Sequence, residues 1–114
     1  MTKFDSLEVE VEGALGRIVL NRPDHLNAVA VAALDGLGVA AGHLDELESV
    51  RVVVLEGRGR GFCSGVDVKD FALALGGGGA PPEERLRELA ANGKDLVDAL
   101  AGMKAVTVAS VHGC

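Results

Sequence analysis

Tryptophan and tyrosine are absent and phenylalanine occurs three times, so aromatics make up 3% of a chain that is 48% hydrophobic. Its core must therefore be built from Val, Leu and Ala. Cysteine is scarce as well. Cys63 and Cys114 form neither a metal-ligand nor a disulfide pattern, which fits a reducing, cytoplasmic setting. Positive charge is short: 11 Lys and Arg against 17 Asp and Glu leave a net charge of −6, which argues against nucleic acid as the main partner. Long apolar runs are missing too. The longest, Ala28 to Leu34, is far too short to span a bilayer. The first ten residues, MTKFDSLEVE, lack the apolar stretch of a signal peptide. His25, His43 and His112 do not suggest a metal cluster.

What is plentiful is glycine, 16 residues of 114, lying between apolar segments and so suited to tight backbone approaches. The length corresponds to one domain or part of one, with a real but modest core.

Leu7, Val9 and Val11 alternate with Glu8 and Glu10, the pattern of a half-exposed strand. Glu12-Gly13 is a turn signal and Ala14 to Asn21 a second strand, predicting a hairpin that ends at Arg22-Pro23-Asp24. Asn27 is placed to cap a helix over Val29 to Leu47, with Ala30, Leu34, Leu37, Ala41 and Leu44 as its apolar stripe. Gly36, Gly38 and Gly42 each cost that helix roughly 1 kcal/mol relative to Ala. Val50 to Glu56 reads as a buried central strand. Asp67 to Leu75 suggests a short helix. Gly76 to Gly79 is read either as a mobile lid or as a plain linker. Pro81 and Pro82 before Glu83 and Glu84 start another helix, whose buried stripe would be Leu86, Leu89, Gly93, Leu96 and Leu100. Ala105 to Val111 is expected to be a strand buried on both faces. Strands separated by helical crossovers imply an α/β fold.

The stretch with chemical content is VRVVVLEGRGRGFCSGVDVKD, Val50 to Asp70. A strand runs into a glycine-rich turn, with Arg58 and Arg60 expected on its exposed side. Gly65 then permits a bend that brings a ligand close to the main chain. A helix beginning near Asp67 would aim its free N–H groups at whatever sits there. This makes a socket for an anionic oxygen.

LEGRGRGFCSGVDVKDF resembles the first oxyanion-hole segment of the crotonase superfamily, the enoyl-CoA hydratase/isomerase proteins. IVLNRPDHLNAV, Ile18 to Val29, resembles that family's early strand and CoA-contacting loop. KAVTVASVHG, Lys104 to Gly113, resembles the strand leading to its second glycine-rich segment. The three blocks follow in the family's order. His112 stands where the family commonly has asparagine, and Ala105 where proline is common.

The resemblance implies a crotonase-like (ClpP/crotonase) spiral of ββα units, of which residues 1–114 form the N-terminal part. It implies acyl-CoA thioester chemistry, most directly water addition to a 2-enoyl-CoA, with isomerisation, thioester hydrolysis and carbon–carbon cleavage open to the same machinery. The catalytic group here would be the main-chain N–H of Val66, first donor to the thioester oxygen. Arg22, Leu26, Ala28, Ser64, Gly65, Val66, Asp67, Val68 and Lys69 match positions lining the CoA site. Asp67 could equally cap a helix, Leu26 and Ala28 could be packing residues, and Arg22 and Lys69 could be solvated surface. No metal or redox cofactor is implied, coenzyme A being part of the substrate. Members usually form trimers or hexamers, and membranes and nucleic acids are not expected partners. The second donor and the catalytic carboxylates belong, by the resemblance, to positions after Cys114, so this chain alone is expected to be inactive.

Three rival readings exist. Gly61-Phe62-Cys63-Ser64-Gly65 fits a cysteine nucleophile elbow followed by Asp95, Asp98 and His112, although five loop residues separate it from the strand. A dinucleotide-binding G-x-G-x-x-G fails, because Ser64 stands at the third glycine position. A non-catalytic acyl-CoA-binding or assembly subunit is the third.

Overall fold

The computed structural model describes residues 2–4, 6–29, 31–65, 67–76 and 82–113. The chain runs β1 (Thr2–Phe4), β2 (Leu7–Glu12), β3 (Leu15–Leu20), a 3-10 turn (Pro23–His25), α1 (Val31–Asp45), β4 (Val52–Gly57), α2 (Val68–Gly76), α3 (Pro82–Ala101) and β5 (Val106–Ala109). One five-stranded sheet has these strands side by side in chain order. β1, β2 and β3 are antiparallel, and β4 and β5 join parallel to β3. Antiparallel neighbours need only tight turns, whereas each parallel pair needs a crossover. α1 supplies the first crossover; α2 and α3 supply the second.

The expected hairpin is present, with Glu12 opposite Leu15. Gly13 takes φ +59°, the left-handed conformation a two-residue hairpin loop requires at its first position. Leu7, Val9, Ile18, Leu20 and Val53 project from the sheet against Leu37, Ala40 and Leu44 of α1, and Val50 closes the end of this core. α1 lies close because Gly16 faces it: a Cβ there would come within 3.1 Å of a Leu44 methyl.

Several expectations need correction. The buried stripe of α1 keeps the expected Leu37, Ala41 and Leu44 and adds Ala33 and Ala40, whereas Leu34 is half-buried and Ala30 lies outside the described residues. Asn27 is not its cap; the helix starts at Val31, and the Asn27 side chain is engaged elsewhere. Glu8 is buried rather than solvated, because Arg58 and the Asn21 amide cover its carboxylate. In α3 the intended stripe is only half buried at Leu89, Gly93, Leu96 and Leu100, and Leu86 is exposed. That helix packs on α1, so it contacts the core through one layer of helix. β5 is an exposed strand, not a doubly buried one, with Val106 64% and Val108 44% accessible. It pairs with β4 on one side and forms the edge of the sheet on the other. The proposed lid or linker, Gly76 to Gly79, falls outside the described residues beyond Gly76, the last residue of α2.

Candidate functional site

The site grows from the end of β4. Gly57 closes that strand where no side chain fits, since a Cβ would run into the Phe62 carbonyl and lie 2.8 Å from the Asn27 amide nitrogen. Gly59 takes φ +85° and lies against Pro23. The loop is tied down on all sides. Arg58 N–H donates to the Leu20 carbonyl at 3.0 Å, and Phe62 N–H to the His112 carbonyl at 2.9 Å. The His112 Nε2 lies 2.7 Å from the Gly59 carbonyl. Arg58 and Arg60 are exposed as expected, but the Arg58 guanidinium is anchored on Glu8, whose hydrogen bond and charge raise it above its usual value.

Next, Cys63 to Asp67 runs beside Leu26 to Val29. Ser64 N–H donates to the Leu26 carbonyl at 3.0 Å, Val29 N–H to the Gly65 carbonyl at 2.8 Å, and Asp67 N–H to the Val29 carbonyl at 2.9 Å. Val29 thus holds the residues on both sides of position 66. Val66 itself lies outside the described residues. Gly65 takes φ +109°, a conformation that a side chain disfavours even though the space beside it is open.

Asp67 caps α2. One carboxylate oxygen accepts the Asp70 N–H at 3.2 Å, and the other meets Arg22 Nη2 at 3.1 Å. The Asp70 N–H and then the Arg22 guanidinium hold the Asp67 carboxyl below the usual carboxylate range. Arg22 also donates from Nη1 to the Ala28 carbonyl at 2.7 Å.

These tethers leave an open groove of about 610 Å³ lined by His25, Ala28, Ser64, Asp67, Lys69, Asp70 and Leu73. Of the residues expected to line a CoA site, Ala28, Ser64, Asp67 and Lys69 come together here. Gly65 and Leu26 contribute main-chain bonds to the walls, and Arg22 is committed to Ala28 and Asp67. Val68 is the first residue of α2. His25 and Leu73 line the groove without having been singled out for it in the sequence, and Asn27, expected as a helix cap, instead braces the loops beside it. For Asn27 a signal existed: a Leu-Asn pair closing a proline-started turn suits left-handed backbone, which Asn tolerates better than most residues.

The elbow reading fails on this geometry. β4 ends at Gly57, six residues before Cys63, and the Cys63 sulfur accepts the Gly65 N–H at 3.4 Å while the His112 ring is turned to Gly59. Among the described residues no group of three or more His, Cys, Asp or Glu side chains could hold a metal, and no helix is long and apolar enough to cross a membrane.

The chain as a whole, with this strand, glycine loop and helix in it, is similar to known proteins. The enoyl-CoA hydratase/isomerase family description matches residues 10–114. The chain belongs to this family. It is 26% identical over 121 residues to the peroxisomal Delta(3,5)-Delta(2,4)-dienoyl-CoA isomerase of Arabidopsis thaliana, covering 99% of this chain and 44% of that protein. It is 32% identical over 114 residues to a probable enoyl-CoA hydratase of Mycobacterium tuberculosis, covering 99% of this chain and 41% of that one. The crystal structure of an enoyl-CoA hydratase/isomerase from Marinobacter aquaeolei superposes with a TM-score of 0.86 at 27% identity, over 96% of this chain and 42% of that one. The fold is therefore part of the crotonase fold, and the chain spans about two fifths of the length of these relatives.

Proposed function

We propose that the intact protein is an enzyme acting on acyl-CoA thioesters, and that its reaction is reversible water addition to a 2-enoyl-CoA. The observation that carries this reading is the bent Gly65 and the helix-capping Asp67, both held by Val29 on the main chain, with Ser64 and Asp67 lining the groove. In this reading the Val66 main-chain N–H is the first donor to the thioester oxygen. Water addition pushes negative charge onto that oxygen as an enolate. A fixed donor in a dry site stabilises the charge, and losing one typically costs about 3–4 kcal/mol in the barrier. The reaction in this reading also calls for a second donor to the oxygen and an acid–base group to move the water proton. Water addition needs neither a metal nor a redox cofactor. Lys69 is exposed and lines the groove, and in this reading it serves the CoA phosphates. We place the working protein in the cytoplasm as a homotrimer or a pair of trimers.

Isomerisation is the second reading, favoured by the name of the Arabidopsis thaliana relative. An assay of the intact protein on a 2-enoyl-CoA and on a shifted-double-bond substrate separates the two: hydration should dominate. The site itself is tested by hydrogen exchange. A saturating acyl-CoA should slow the amides of Gly57 to Phe71, and unchanged exchange there would defeat the assignment.

A further inference from the structure

The Asn27 side chain is 2% exposed and uses its amide in full. Its oxygen accepts the Arg22 N–H at 2.8 Å, and its nitrogen donates to the Arg58 carbonyl at 2.8 Å and the Gly61 carbonyl at 2.9 Å. An Asn offers two N–H donors and one carbonyl oxygen, so both donors and the acceptor are satisfied. Leu26 and Asn27 adopt consecutive left-handed conformations, φ +51° and +55°, and the Asn27 side chain meets the glycine loop. Gly57 leaves the room it occupies. The two loops that it joins are those whose later residues, Ala28 on one side and Ser64 and Asp67 on the other, wall the groove.

We propose that Asn27 is a positioning residue: it sets the glycine loop against the Arg22–Val29 loop and so fixes the spacing of the groove walls and of Gly65. Its link to catalysis rests on the acyl-CoA reading above; its grip on the loops does not. Asn27 touches no substrate in this scheme. It acts through the main-chain pairs Ser64–Leu26, Val29–Gly65 and Asp67–Val29. Those pairs can form only if the two loops are held at one separation. Arg22 and Asp67 tie the two loops at one place, and Asn27 ties them at another through Arg58 and Gly61.

The test is Asn27→Asp, which keeps the shape and removes both donors. A carboxylate would face the carbonyls of Arg58 and Gly61, which favour its neutral form, so it should take up its proton above the ordinary carboxylate range but below neutral pH, and the protonated acid restores one donor. At neutral pH the amides of Val29, Ser64 and Asp67 should exchange about tenfold faster relative to the β2–β3 ladder in the same sample, and the excess should shrink as the pH is lowered. The wild-type chain should show no such pH-dependent excess. In the intact protein, acyl-CoA binding by the folded variant should weaken with the same pH dependence. Exchange that rises only in step with the ladder amides, or acyl-CoA affinity unchanged when the loops loosen, overturns the proposal. If the variant does not fold, the wild-type side-chain amide decides: the Asn27 protons should exchange far more slowly than those of exposed Asn92, and equal rates overturn it. Failure of wild-type protein to bind acyl-CoA would remove the functional reading and leave the exchange comparison to judge the loops.

Discussion

Arg22 and Asp67, 45 positions apart in the chain, meet at 3.1 Å beside the groove. Each was a candidate CoA contact by resemblance. In the fold each neutralises the other, and both have second duties: Arg22 on the Ala28 carbonyl and Asp67 on the first turn of α2. The pair clamps one wall of the groove to the other.

This clamp has a sign in pH. The Asp70 N–H and the Arg22 guanidinium favour the ionised Asp67, so its folded pKa lies below the ordinary 3.8. A depressed carboxylate contributes stability that is present above its unfolded pKa and is lost as the pH falls through the folded value. An NMR titration of the Asp67 carboxyl carbon should give a midpoint below 3.8. Asp67→Asn keeps a good cap and should flatten that part of the acid-unfolding profile. A midpoint at or above the ordinary value contradicts the clamp.

Two glycine substitutions should move stability in opposite directions. Gly65→Ala has room but the wrong backbone, at φ +109°, and should cost about 1–3 kcal/mol. Gly42→Ala sits within α1 with open space around it and should add up to about 1 kcal/mol. Urea titrations of the two variants check both signs.

Leu44 is 1% exposed and packs where Gly16 lets α1 approach the sheet. Leu44→Ala should cost about 2–5 kcal/mol, because little around the site can collapse into the space. That is a large share of the stability of any small domain, so the expected outcome is a steep loss of the cooperative thermal transition. A shift of a degree or two would show that the core is elsewhere.

The β5 edge invites pairing. Its residues Val106, Thr107, Val108 and Ala109 are exposed, uncharged and suited to strands. This chain should self-associate with rising concentration, and Val108→Lys should suppress it by placing a charge on the exposed strand. Sedimentation velocity on the two proteins measures this; equal association would show that the edge is not the contact.

Much of the fold was legible in local pattern. Leu7, Val9 and Val11 alternate with Glu8 and Glu10, and the strand is there. Gly13 marks the turn, Leu37, Ala41 and Leu44 fall on the buried face of α1, and the run after Val50 forms β4. Such signals survive because the period of a strand or helix is written in consecutive residues. The glycine-rich order around Gly65 was equally readable, since a left-handed bend restricts residue type at its own position.

Tertiary structure alone decided which groups meet. Nothing near Glu8 indicates that Arg58 will cover it, and nothing near Asn27 shows that it will bond Arg58 and Gly61 rather than cap a helix. These partners lie 31 to 50 positions away, and chain periodicity carries no information at that range. Burial of β5 and α3 departs from their local pattern for the same reason. An apolar pattern states what a segment can bury, whereas the arrangement of layers determines what covers it. Here α3 lies on α1 and β5 stands at the rim of the sheet, so residues suited to a core remain in water.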